Sequence, residues 1–279
     1  MGTAAAVDIK TRHKHFDLKD ELATLWHGND AFRTAFFNAL SMQFPKGEHA
    51  FIESVRAYRE QIEGEDLKKQ VRAFIGQEGV HSREHQNYND ALIQRYGKQA
   101  IDEIEERFSK HMDFVKTLPR SRRLAGTCGA EHYTAAMAHM LLSNEDCLKG
   151  VGAKMREIWA WHAVEEIEHK SVAFDVYQQQ VGDERIRRIV YLFVTWNFAK
   201  FTFLNLVTML RAEGKLWSPG TWVGGLNFLW GVPGVMRRAL PHFLAYMKPG
   251  FHPWDIDDRE LIEQWKAEYE PEELAAGAA

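Results

Sequence analysis

Cysteine is nearly absent from this 279-residue chain. Cys128 and Cys147 are the only two, too few to staple a chain of this length and not in the CxxC spacing of a metal or redox pair, so both read as reduced thiols. An excess of basic residues is also missing. Lys and Arg total 35 against 39 Asp and Glu, for a net charge of −4, which leaves no broad positive field for phosphates, and no nucleic-acid partner is expected. No stretch of period-two alternation is long enough to mark a strand. The first residues, MGTAAAVDIKTRHKHFDLKDE, lack an apolar core after a basic start and carry Ala6 where a myristoylation signal needs Ser or Thr, so a cytoplasmic protein is expected. Proline is scarce before residue 215, and six of the eight prolines (Pro219, Pro233, Pro241, Pro249, Pro253 and Pro271) come after it.

Hydrophobic residues make up 45% of the chain, enough for a substantial core, and they recur at helical spacing, so the fold class is all-α. Helices are expected over 31–44, 46–63, 66–96, 99–118, 122–142 and 146–180, with Pro45 as a break, Gly97 as a C-cap and Asn144 as an N-cap. Past residue 215 the prolines and tryptophans imply broken helices and loops, and the tail 270–279 is expected to fray. The expected organisation is an N-terminal segment (1–29), a four-helix bundle (30–184) and an apolar, aromatic-rich helical extension (185–279).

Residues 189–210 form a 22-residue apolar run with Lys200 as its single charge. By length it could cross a bilayer, but a Lys at the centre of a membrane costs roughly 2.5–3.5 kcal/mol. Three placements stay open: a span, a helix buried in protein, or a helix docked on a membrane surface. A homodimer also stays open.

Thirteen histidines stand beside abundant glutamate, and between residues 48 and 169 the two follow a repeated order. Glu48 is followed by Glu78-Gly-Val-His81, and Glu131 by Glu166-Ile-Glu-His169. The lone glutamates are 83 positions apart and the ExxH pairs 88. An α-helix turns about 100° per residue, so residues i and i+3 share a face and can reach one metal. One Glu from each of two helices plus an ExxH from each of the other two is the donor pattern of di-metal carboxylate bundles. The neighbours of Glu78, Glu131 and Glu166 are small or apolar, so these carboxylates face inward, and a buried charge needs a partner.

His162, four residues before Glu166, falls on the same stripe and is a candidate third imidazole ligand. His85, four after His81, is either a further ligand or a residue that orients one, and Glu165 is the reserve for Glu166. Glu168 is expected at the surface. His49, His132 and His139 read as structural, and His13, His15 and His27 receive no function.

The stretches FPKGEHAFIESVRAYR, FIGQEGVHSREHQ, GAEHYTAAM and WAWHAVEEIEHKSVAFDVY resemble the bacterial family of predicted metal-dependent hydrolases, over residues 30–255. That resemblance implies a ferritin-like helical fold. The HxxxExxH element, with the other Glu and ExxH positions, is also similar to the ligand set of p-aminobenzoate N-oxygenase and its relatives, which are di-iron enzymes. Carried over, it implies Glu48, Glu78, His81, Glu131, His162, Glu166 and His169 as ligands. His85, the 189–210 run and the Trp/Pro-rich end lie outside that pattern. The favoured activity is a dioxygen-activating oxidoreductase, an oxygenase or oxidase, with two transition-metal ions (Fe/Fe or Fe/Mn) acting on an apolar or aromatic small molecule. The alternatives are a hydrolase using a metal-bound hydroxide, as the family label implies, and a non-catalytic metal-binding protein.

Overall fold

The computed structural model describes residues 7–271, so all but the first two positions of the tail expected to fray lie outside the described residues. The helices are α1 (Lys19–Leu22), α2 (Ala31–Ser41), α3 (Phe44–Arg56), α4 (Glu65–Ala91), α5 (Ile93–Tyr96), α6 (Lys98–Lys116), α7 (Arg120–Ser143), α8 (Ala153–His169), α9 (Val172–Gln180), α10 (Glu184–Ala212), α11 (Pro219–Trp230), α12 (Val235–Ala245) and α13 (Arg259–Tyr269). Among the described residues there is no strand beyond an isolated bridge between His27 and Val151.

Four helices carry the Glu and His order. α3 packs on α4, α7 packs on α8, and the two pairs close on each other through α3 with α7 and α4 with α8 and α9. The connector α6 buries Ile101, Ile104 and Phe108 along one stripe, as its three- and four-residue spacing dictates. Gly97, at φ 80°, separates it from α5, a backbone conformation glycine adopts without steric penalty.

The structure moves several expected boundaries. Pro45 sits in the first turn of α3, where its missing N–H is no loss, and the chain turns at Met42 and Gln43 instead. That helix ends at Arg56, and a short 3-10 turn, Arg59–Gln61, follows. The stretch 146–180 is three pieces. Asn144 caps a 3-10 turn, Glu145–Leu148, by accepting from Asp146 N. Gly150 (φ 78°) then lies against Gly28, and Val151 pairs with His27 before α8 starts. α8 and α9 part at Lys170 and Ser171, where Lys170 Nζ reaches Ile256 O (2.6 Å) and Asp258 Oδ2 (2.5 Å). No Pro or Gly marks that break, since a tertiary contact makes it.

The N-terminal segment is a strap laid along α4 and α8. Thr11 sits directly over Gly76, where a Cβ would collide with its side chain, and the Lys10 carbonyl accepts from Gln77 Nε2 at 3.0 Å. Phe16 N donates to Glu84 Oε2 at 3.0 Å, and its ring meets Trp161 at 5.3 Å. The long helix α10 lies across α7 and α2. Asp183 caps it, accepting from the N–H groups of Arg185 (2.8 Å) and Ile186 (3.0 Å), as an N-cap side chain does for otherwise unpaired donors. Of its most apolar stretch only 28% is buried, so this helix is neither enclosed by protein nor free of it.

Candidate metal centre

The seven expected ligands converge in the bundle interior. Glu48, His81 and His162 bring donor atoms within 4.8 Å of one another, and so do Glu78, Glu131, Glu166 and His169. Glu166 joins the two groups. Its Oε1 lies 3.3 Å from His162 Nε2 and 3.4 Å from His81 Nδ1, while its Oε2 lies 3.7 Å from His169 Nε2. His169 Nε2 also sits 3.1 Å from Glu78 Oε1 and 3.2 Å from Glu131 Oε2. All seven side chains are buried.

Each histidine has its outward nitrogen held. His81 Nε2 donates to Glu165 Oε2 at 2.9 Å, and His169 Nδ1 donates to Gln77 Oε1 at 2.9 Å. The Gln77 amide is oriented because its Nε2 donates to Lys10 O and to Glu168 Oε2. Behind His162 runs a relay. Ser41 Oγ donates to Asn89 Oδ1 (2.8 Å), so His85 Nδ1, 2.9 Å away, donates to Ser41 Oγ. His85 Nε2 is then left to accept from His162 Nδ1 at 3.0 Å. This bonding assigns the tautomer of each ring. His162 Nε2 faces the centre as a bare lone pair.

Both nitrogens of His85 are thus engaged, and it stands behind His162. Glu165 is engaged as well, by His81, by Trp161 Nε1 (3.1 Å) and by Arg12 Nη1 (3.2 Å). Glu168, expected at the surface, is buried at 2% exposure. The strap explains the difference, because Arg12 forks onto Glu168 with two 2.8 Å hydrogen bonds and seals it from water. His49 is exposed beside Glu53 (3.3 Å), His132 is bonded to His242 O (2.8 Å), and His139 to Asp258 (2.6 Å). None of these three reaches the centre. Sequence reasoning missed Arg12, Gln77, Ser41 and Asn89. For Gln77 a signal existed in its place beside Glu78, and for Asn89 in its place four residues after His85 on the same helix, but Arg12 and Ser41 come from other elements.

The inward atoms crowd one another without hydrogen bonding. Both oxygens of Glu48, Glu78 and Glu131, Glu166 Oε2, His81 Nδ1, His162 Nε2 and His169 Nε2 are buried and make no hydrogen bond. Buried polar groups are normally satisfied, so an unpaired set pointing at one place fits cations. The electrostatics agree. Burial, and then the charge of Glu78, pushes the Glu48 carboxyl well above its usual range, and burial pushes Glu131 up to about 8. Burial opposes ionisation of Glu166 too, but His169 and His162 outweigh it and hold that carboxyl well below its usual range. His162 is lowered to about 3 by burial and by His81, so it stays a neutral imidazole. His81 and His169 are raised well above an ordinary histidine because adjacent carboxylates outweigh burial. Metal binding displaces such protons.

The chain belongs to the family of predicted metal-dependent hydrolases. Its family model matches residues 10–257, a span that includes the strap, the four helices that carry the Glu and His cluster, and most of the C-terminal extension. No curated protein and no solved structure matches the chain. In this member of the predicted metal-dependent hydrolases, the buried Glu and His cluster offers donor groups for the metal that the family description names. Beside it lies a cavity of about 540 Å³ whose wall includes Glu48 and Glu166, with Phe51, Phe108, Met112, Phe193 and Phe198 among its apolar lining.

Proposed function

We propose that Glu48, His81 and His162 hold one transition-metal ion, that Glu78, Glu131 and His169 hold a second, and that Glu166 is shared between them. On this reading the chain uses dioxygen to oxidise an apolar or aromatic small molecule bound in the adjacent cavity. The observation that carries the metal reading is the set of buried, unpaired donor atoms aimed at one place. Two bound iron ions, or iron with manganese, would supply Lewis acidity and the electrons that reduce dioxygen. The chain's own part is to hold four carboxylates against their mutual repulsion, to fix each imidazole through Glu165, Gln77 and His85, and to exclude water with the apolar cavity wall.

The preference for dioxygen chemistry rests on the donor set. Four carboxylates against three imidazoles make a hard, anionic site of the kind that suits iron and manganese, whereas the zinc sites of hydrolases draw more on imidazole. The family description supports a second reading, metal-dependent hydrolysis. Elemental analysis of protein produced with iron is the first test, with two transition metals per chain expected, and their absence sinks both readings. Turnover of aromatic candidates with and without dioxygen then separates them, since a hydrolase works anaerobically and with zinc. Many irons per chain and no turnover would instead indicate storage.

A further inference from the structure

Helix α10 packs on α7 and α2 through one face and presents the other to solvent. The solvent side repeats at alternating steps of four and three residues: Arg185, Ile189, Leu192, Trp196, Ala199 and Phe203. From Ile189 on this is a regular apolar stripe, with Trp196 67% and Phe203 54% exposed. The helices beside it extend the surface. Phe203 meets Trp222 of α11 at 6.2 Å, and α11 exposes Val223, Leu226 and Trp230. Tyr191 of α10 donates to Phe243 O of α12 at 2.9 Å, and α12 exposes Leu240 and Leu244. Trp217, in the turn between α10 and α11, is 90% exposed. Soluble surfaces rarely leave so much contiguous apolar area uncovered without a partner.

Charge identifies the partner. From Arg185 to Lys248 the chain carries nine Lys and Arg against a single acidic residue, Glu213, although the whole chain is at −4. Arg187 is buried and, with Arg188, pairs with Glu184, and Arg211 pairs with Glu103, which leaves Arg185, Lys200, Lys215, Arg237, Arg238 and Lys248 for this face. Exposed aromatics among basic residues are the signature of an anionic lipid surface. The same face holds the entrance to the cavity beside the metal centre, because Ile189 and Phe193, 56% and 64% exposed, also line it. The opposite face of α10 argues against a span. Asn205 donates to Ala39 O (3.3 Å), and Thr202 accepts from Gln43 (2.8 Å). Crossing a bilayer would require giving up these contacts with the bundle.

We propose that this face docks on the surface of an anionic lipid bilayer with the cavity entrance turned toward the lipid, so that the substrate class is an amphipathic molecule held in the membrane. Docking stands on the surface alone, whereas the substrate class rests on the metal-centre reading. The test uses the full chain and sedimentation with vesicles of phosphatidylcholine alone and of phosphatidylcholine mixed with phosphatidylglycerol. Binding is expected to the mixed vesicles, to weaken with added salt, and to fall about tenfold or more in Trp196→Ser/Trp217→Ser and in Lys215→Glu/Lys248→Glu. Circular dichroism checks that both variants keep their helices, and all four substituted residues are outside the metal centre. No binding to either vesicle, equal binding to both, or binding that neither variant weakens overturns the proposal. So does a dimer in sedimentation equilibrium that Trp196→Ser/Trp217→Ser dissociates while vesicles bind nothing, because a second copy then covers the face. A chain that binds mixed vesicles but contains no metal keeps the docking and removes the metal reading.

Discussion

Arg12 and Glu165 lie 153 positions apart in the chain and meet at 3.2 Å, while the other oxygen of Glu165 holds His81 at 2.9 Å. The N-terminal strap is therefore wired to the Glu and His cluster through one carboxylate. Arg12 also pairs with Glu168 and with Glu270, so one guanidinium ties the strap, α8 and the end of the described chain.

Removing Arg12 leaves Glu168 buried without a counter-charge and takes one of two from Glu165, which keeps His81. Arg12→Met is expected to cost about 3–5 kcal/mol of stability, the range for breaking a buried ion pair by deleting one partner. Urea unfolding measures it. Glu165→Gln, which keeps the shape but alters the hydrogen bond to His81, is expected to lower metal affinity about 10–100-fold, read by competition with a chelator. Equal affinity in wild type and Glu165→Gln would mean that His81 is not a ligand.

Glu166 stands between the two donor groups, and Glu48 belongs to one. Glu166→Ala should therefore strip both metals, and Glu48→Ala should lower the content toward one per chain. Elemental analysis of the two purified variants decides this, and identical stoichiometries would contradict the shared position of Glu166.

His27 is fully buried, with Nε2 2.8 Å from Cys147 O. Burial lowers its pKa to about 4. The unfolded chain takes up the proton near 6.5 and the folded chain only near 4, so stability is fully present above 6.5 and is lost as pH falls through that window. The loss is roughly 3 kcal/mol. His27→Gln should flatten the dependence by about one proton, measured as the difference in unfolding free energy between the two proteins at several pH values from 7 to 4. Parallel curves would refute the assignment to His27.

Gly225 of α11 lies against the ring of Phe32 in α2, and a Cβ there would overlap the ring. Gly225→Ala must push α11 away from α2 or displace the buried ring, at about 1–3 kcal/mol. Gly79, whose Cβ would meet nothing within 4 Å, provides the contrast, and Gly79→Ala should be neutral or slightly stabilising. Thermal unfolding of the pair measures the difference.

Much of the centre was legible in the residues because helical geometry is local. An ExxH pair must share a face wherever the helix packs, and four such elements in a repeated order leave few arrangements that bury their charges. Helix positions were legible for the same reason, but several ends were not: α3 takes Pro45 into its first turn and stops at Arg56, and other ends depend on distant groups. The break between α8 and α9 follows Lys170 reaching Asp258, and the burial of Glu168 follows Arg12, neither of which leaves a trace in nearby sequence.

The sequence by itself determined the all-α class, the seven inward Glu and His positions, and an apolar stretch too long to ignore at 189–210. Only the tertiary structure decided that Glu166 faces both donor groups, that His85 and Glu165 hold His162 and His81 from behind, and that α10 shows one face to the bundle and the other to solvent. The division has a physical cause. Residues three or four apart are placed by the helix itself, whereas residues a hundred apart meet only where packing brings their elements together.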